Sequence, residues 1–209
     1  LLHRSLFKAL VATALMLILA AGCAGSASRS KYYLLSASTL KAAAGNSAGT
    51  AGGLAIGLGP VSFPGYLDRQ QIVVRTGPNE ISFSEFDRWA EPLQANFIRV
   101  FKQNLATLLG TDTVFVHPFS PGAAFEFQVS AEVIRYDARP GDTAILAVNW
   151  TVSRIRDGEV VLNRQSSYEA PLAGSDYEDI VSAQSGLLAA FSRDVADALA
   201  RIYRTEHGN

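Results

Sequence analysis

One residue in this chain has both a reactive side chain and a telling position. Cys23 is the only cysteine among 209 residues. A thiol is the natural nucleophile for taking up a lipid or acyl group. Leu19-Ala20-Ala21-Gly22 precedes it, so the residues beside it are small enough to enter a peptidase cleft. With no second thiol, no disulfide can form within the chain, and any folded domain must rest on its core alone.

Other reactive groups are sparse. The histidines are His3, His117 and His207. His117 is the only one away from the ends; it precedes Pro118 after a short apolar run, where a structural or solvated role is expected. No His, Cys and carboxylate spacing fits zinc. Gly57-Leu58-Gly59 lacks the third glycine and the following helix of a dinucleotide loop. Asp137, Arg139 and Asp142 surround Pro140-Gly141 and read as turn residues. No catalytic residue and no metal or organic cofactor is expected, so a periplasmic hydrolase is disfavoured.

The residues before Cys23 explain why the thiol matters. His3, Arg4 and Lys8 form a basic start, and Ala9 to Ala21 carries no charge. That run is shorter than the ~20 residues a helix needs to span a bilayer. Basic region, apolar region and small residues together read as a secretory signal over residues 1–22. Leu19-Ala20-Ala21-Gly22-Cys23 resembles the bacterial lipobox, with Ala20 and Leu19 in the two places where Leu is the usual choice for one. An ordinary secretory signal would share the first two regions; the lone cysteine at the cut favours lipidation. The expected product begins at Cys23 with covalent lipid. Several acyl chains would hold it stably, each buried CH₂ contributing ~0.8 kcal/mol. Ala24, where inner-membrane retention signals carry Asp, favours the outer membrane by resemblance to Gram-negative sorting signals.

Residues 23–30 read as a lipidated tether and 31–209 as one domain, a length that can bury a sizeable core. Without residues 1–22 the charged residues are 16 Lys and Arg against 19 Asp and Glu, a net charge of −3. No basic cluster suggests nucleic acid. Leu40 to Gly53 is almost all Ala, Gly, Ser, Thr and Asn, and reads as a flexible loop over 40–53.

Periodicity then supplies the elements. Strands are expected at Tyr32 to Leu35, Leu54 to Val61, Ile72 to Arg75, Glu80 to Phe83 (antiparallel to the last) and Val114 to Val116. Phe125 to Val133 and Ala144 to Val152 alternate cleanly, and Asp157-Gly158 signals a hairpin into Val160 to Tyr168. Those three form an antiparallel meander with one wet face. One helix is expected to be capped by Ser84 or Asp87, with Trp89, Leu93, Phe97, Phe101, Leu105 and Leu108 as its stripe, Pro92 in its first turn and Gly110 as its stop. A second begins after Ser175 or Asp176, with Ile180, Leu187, Leu188, Phe191, Val195, Leu199 and Ile202 facing inward. The fold class is α+β: a mixed, largely antiparallel sheet of six or seven strands with two long amphipathic helices packed on it.

One stretch has a more particular character. Gly59-Pro60-Val61-Ser62-Phe63-Pro64-Gly65-Tyr66-Leu67-Asp68-Arg69-Gln70-Gln71 leads into Ile72 to Arg75, and Phe86-Asp87-Arg88-Trp89-Ala90-Glu91-Pro92-Leu93 follows. With the lipobox and Tyr32-Tyr33-Leu34, these residues resemble the ABC-type transport auxiliary lipoproteins, the family of paraquat-inducible protein C, over essentially the whole chain after residue 22. Gln70 stands where that family usually has Pro. The resemblance implies an α/β sandwich. It also implies an outer-membrane lipoprotein on the periplasmic side, without catalysis, that serves MCE-domain transporters moving lipid between membranes. A ring of subunits at the tip of a tubular partner is implied by the same analogy.

Phe63, Pro64, Tyr66, Leu67, Asp68 and Arg69 are the candidate partner contacts. Apolar side chains in a turn are expected to be exposed, and Tyr and Arg are common anchors. The competing reading tucks Tyr66 and Leu67 under the sheet and pairs Asp68 or Arg69 internally. A second function class also stays open: a lipoprotein that itself binds a lipid or other apolar ligand.

Overall fold

The structure is a computed structural model that describes residues 29–37 and 54–207. The signal segment, Cys23 and the Ala/Gly-rich run at 40–53 lie outside them. Eight strands and two helices follow in order: β1 (Lys31–Tyr33), β2 (Ile56–Ser62), β3 (Gln71–Arg75), β4 (Ile81–Trp89), α1 (Leu93–Leu109), β5 (Val114–Val116), β6 (Phe127–Ala138), β7 (Thr143–Arg154), β8 (Val160–Pro171) and α2 (Tyr177–His207). The class is α+β as expected, with one open mixed sheet.

The long β6 is its spine. On one side β7 and then β8 add antiparallel, in register over nearly their full length. Alternation fixes this half: Val129, Ala131, Val133, Leu146, Val148, Trp150 and Val152 are all buried. Asp157 holds the hairpin by accepting from the Glu159 N–H (3.1 Å), and Gly158 takes the left-handed conformation at φ 74°.

On the other side of β6 the neighbour is broken in two. β2 runs parallel to Phe127–Glu132, and β3 runs parallel at Ala138. Residues 63–70 fill the gap between them. β5 extends the sheet beyond β2, and β4 and then β1 extend it beyond β3.

Both helices cover one face. Phe97, Val100, Phe101 and Leu105 of α1 are fully buried, as are Ile180, Leu188, Phe191, Val195 and Leu199 of α2. The layer between helices and sheet is filled by rings: Phe101 stacks on Phe191 at 4.8 Å, and Phe97 meets Tyr136 edge-on at 5.5 Å. Tyr136 donates to the Gln184 carbonyl (2.8 Å), and the Gln184 amide donates back to the Tyr136 carbonyl (3.2 Å). Asn104 donates to Ser192 across the two helices (3.1 Å). Each buried polar group thereby locks one helix in position.

Two expectations need correction. The first concerns the start of α1. Ser84, Asp87 and Trp89 belong to β4, and α1 starts at Leu93 with Pro92 as its N-cap. An earlier start would bury Pro92 inside the helix, where it lacks an N–H and clashes with the preceding turn. The capping signal itself is real: Ser84 Oγ accepts from the Asp87 N–H and donates to its carboxylate, both at 2.8 Å. It stabilises a bulge in β4 instead of a helix end. The freed segment lengthens β4 and pairs with β1, and the sheet has eight strands where six or seven were expected.

The second concerns Asp137. It is not a turn residue. β6 continues through a bulge between Val133 and Arg135 that shifts its alternation by one. Tyr136 and Ala138 then face the helices, and Asp137 faces the other side, fully buried. The turn lies further on, where Gly141 takes φ 71°.

Candidate functional site

The gap in the broken strand is where the distinctive residues converge. Gly59 and Pro60 end the regular part of β2. Gly59 sits at φ 109°, in a conformation that side chains other than glycine's rarely adopt, and its carbonyl turns to accept from Gln128 Nε2 (2.8 Å). Pro60 lacks an N–H, so the ladder must slip there, and the register shift falls between Leu58 and Val61.

The chain then turns inward. Phe63 is half-buried, its ring edge-on to Phe97 at 5.2 Å and to Tyr136 at 6.5 Å. Residues Gly65–Leu67 form one 3-10 turn. Leu67 is buried, Pro64, Tyr66 and Arg69 are half-buried, and Asp68 is exposed. The apolar side chains therefore do not project into solvent as a turn would predict. The missing strand leaves a slot in the sheet, and they occupy it.

Tyr66 reaches the carboxylate that sequence reasoning missed. Its hydroxyl donates to Asp137 Oδ2 at 3.0 Å. Arg75 Nη2 donates to the same oxygen at 3.0 Å, and Arg135 Nε donates to Oδ1 at 2.8 Å. The Asp137 side chain has no exposed surface, while Arg75 and Arg135 keep 19% and 29% of theirs. Burial opposes the charged carboxylate, but the bonds from Arg75, Arg135 and Tyr66 and the charge of Arg135 outweigh it. The Asp137 pKa is held below the usual carboxylate value. Burial and the same carboxylate push Tyr66 up to about 12. The one available signal for Asp137 was its spacing: Arg135 and Asp137 are two apart on a strand, hence on one face. The adjacent Pro140-Gly141 masked it.

The far end of the loop is also tied down. Arg69 Nε donates to the Tyr66 carbonyl (2.9 Å), and its guanidinium lies 3.8 Å over the Phe83 ring. Gln70 accepts from the Trp89 N–H (2.7 Å). Glu91 accepts from Asn96 Nδ2 (2.7 Å) and from Arg99, and Asn96 Oδ1 accepts from the Leu35 N–H (2.6 Å). Tyr33 donates to Asp87 (2.9 Å). So Asp87 ties β1 to β4, and Glu91 orients the Asn96 that holds the residues after β1 against the start of α1.

What remains open is a cleft of about 250 Å³ between the loop and the start of α1. Phe63 and Leu67 floor it, Gly65 and Asp68 stand at its rim, and Gln70 and Gln94 line its far side. It is polar at the edge and apolar below, a shape that suits a peptide side chain or loop. His117 lies elsewhere, exposed and edge-on to Phe119. Among the described residues no group of three His, Cys, Asp or Glu side chains gathers where a metal ion could be held. Among them, too, no helix is long and apolar enough to cross a membrane. The sequence does contain one Gly-x-Ser-x-Gly spacing, Gly45-Asn46-Ser47-Ala48-Gly49. It lies outside the described residues, in a run of Ala, Gly, Ser, Thr and Asn whose sequence lacks the apolar, β-branched stretch that leads into a nucleophile turn.

The comparisons with known proteins agree with this architecture. A solved protein from Xanthomonas campestris, of the family DUF330, superposes with a TM-score of 0.73 at 13% identity, covering 86% of this chain and all of its own. A crystal structure of an uncharacterized protein gives 0.66 at 18% identity, covering 82% of this chain and 99% of its own. At such identities the likeness shows the fold. A search of curated proteins gives no match. The family model for the ABC-type transport auxiliary lipoprotein component matches residues 33–196, from the second tyrosine of β1 through most of α2. The chain belongs to the ABC-type transport auxiliary lipoprotein family.

Proposed function

We propose that this protein is the lipid-anchored docking subunit of an MCE-type transport system that moves lipid between the two membranes of the envelope. In this reading Cys23 carries the lipid, the anchor lies in the outer membrane, and the domain faces the periplasm. The domain performs no catalysis, and energy comes from a partner ATPase where the system has one.

The observation that carries the proposal is the family match across both the motif loop and the helices. The interior supports an adaptor over a lipid carrier, because the rings of Phe97, Phe101, Phe191, Tyr136 and Trp150 already fill the space between the layers. Docking uses the open part of the loop. Phe63, Tyr66 and Leu67 hold its shape from below. Pro64, Gly65, Asp68 and Arg69 present the cleft to a segment of the MCE-domain protein.

The test is co-purification from membranes. The full-length protein should bring down an MCE-domain protein encoded beside it and contain no lipid beyond its own anchor. Recovery without that partner, but with extractable lipid in the domain, would favour the ligand-binding alternative.

A further inference from the structure

The apolar side chains left on the surface are unevenly distributed. Among the described residues the large exposed ones are Tyr32, Leu34, Phe83, Phe86, Ile134, Ile155 and Val160. Four of the seven lie on β1, β4 or the residue just past β1. Register places them together. Tyr32 pairs with Arg88, and Arg88 pairs with Gln71. Phe83 pairs with Val73, two residues along β3 from Gln71. Tyr32 and Phe83 therefore share the face of Val73 and Arg75, on which Asp137 lies and which is turned away from the helices, and Leu34 and Phe86 follow by alternation with Tyr32 and Arg88. With strands about 4.8 Å apart and a rise of about 3.3 Å per residue, Tyr32 lies within roughly 10 Å of Phe83, and Leu34, two residues further along, within roughly 15 Å of it.

The patch is aromatic with cationic fittings. Tyr32 is 65% exposed. Arg69 lies over Phe83, Arg88 stands between Tyr32 and Gln71, and Arg29 is exposed on the approach to β1. Glu85, in the bulge, and Asp68, beside Arg69, are exposed acidic residues among them. Rings that sit at the water–hydrocarbon boundary, with guanidinium groups able to meet phosphates, characterise surfaces that lie on a bilayer.

The chain itself says what is near. Seven residues separate Cys23 from Lys31. Fully extended, they let β1 stand no further than about 27 Å from the bilayer surface. We propose that the Tyr32, Leu34, Phe83 and Phe86 patch rests on the phospholipid headgroups beside the anchor, and so fixes the tilt of the domain on its membrane. This rests on the reading that Cys23 is lipidated. It gives the domain a membrane face that adjoins the cleft at Arg69, so that the partner-facing loop keeps a set direction.

The test uses the full-length lipidated protein in phosphatidylethanolamine/phosphatidylglycerol vesicles. Two variants carry a reporter, Phe86→Trp and Val160→Trp. Val160 is 55% exposed on β8, the opposite edge, five strands from β1. The native Trp89 and Trp150 are buried at 4% and 1% exposure and give a constant background. Lipids bearing a nitroxide just below the headgroup should quench the emission introduced at position 86 and leave that at position 160 unchanged. Equal quenching at both positions, or stronger quenching at 160, overturns the proposal. Quenching at neither, with protein still floating on the vesicles, overturns it as well while sparing the anchor. Failure to float at all removes the anchor and the proposal together. A concentration-dependent blue shift at position 86 in detergent, without vesicles, would assign the patch to a second copy of the chain and overturn it.

Discussion

The two sides of β6 were built by different rules. The β6–β8 meander is the more regular: two tight turns, a polar outer face, and long stretches of alternation and register interrupted only at Val133–Arg135 and at Val152–Ser153. The β2–β3 side is interrupted: a strand split in two, bulges at Gly59-Pro60 and in β4, and a carboxylate buried among two arginines and a tyrosine. Hydrophobic burial alone specifies the first side. On the second, residues 63–70 must replace missing ladder bonds with side-chain bonds. The loop and the Phe86 to Leu93 stretch that carry the most particular part of the family resemblance lie on this second side, together with the cleft and the exposed aromatic patch. The meander holds the fold, and the broken strand shapes surfaces that can meet something else.

The comparison breaks or sharpens on substitutions made in matched pairs. The largest effect is expected from Asp137→Ala, which leaves Arg75 and Arg135 without their shared buried partner. Loss of one member of such a pair costs about 3–5 kcal/mol, read by urea unfolding. Its counterpart on the meander is Asn149→Ala, which removes only an exposed bond of 3.3 Å to Glu132 and should cost under about 0.5 kcal/mol. Equal costs would erase the distinction. Tyr66→Phe comes next. It removes one hydrogen bond to a charged group, worth about 1.5–3 kcal/mol, and should lower the melting temperature without changing the far-UV spectrum.

Acid and alkali probe the same cluster with opposite signs. The Asp137 pKa is lower in the folded state than in the unfolded chain. Its stabilisation is complete above about pH 4, the unfolded value, and is lost as pH falls through the folded value. The unfolding free energy should therefore drop on acidification below that point, and Asp137→Asn should flatten the drop. Tyr66 and Tyr33 are each raised to about 12. Their stabilisation is complete below about pH 10 and is lost as pH climbs from there to about 12. Tyr66→Phe should flatten that loss. A smaller effect, about 1 kcal/mol, is expected from Gly57→Ala. An added Cβ there would fall 2.5 Å from the Phe125 ring, and Phe125→Ala should relieve the cost in a double-mutant cycle.

How much of this was legible in the sequence follows the same division. Alternation exposed β6, β7 and β8, and three- and four-residue steps exposed both helices, because burial repeats with the period of the backbone. Gly110 and Gly158 were legible as a stop and a turn because each needs positive φ. Ser84 misled because a capping bond serves a bulge as well as a helix end. Asp137 was hidden because a one-residue bulge reverses the alternation, and nothing local announces a bulge. The loop residues were found by their unusual types, but the side chains that slot into the sheet could not be separated from those left outside until the gap in β6's neighbour was seen.

The most direct test of the docking account uses Asp68→Lys, a change at the exposed rim of the cleft that leaves the buried cluster intact. Full-length wild-type and variant proteins would be isolated from membranes, with the amount of co-purifying MCE-domain protein and the melting temperature measured on each. The account predicts an unchanged melting temperature and a marked loss of partner from the variant. Equal partner recovery by both proteins, or no such partner with either, would contradict it.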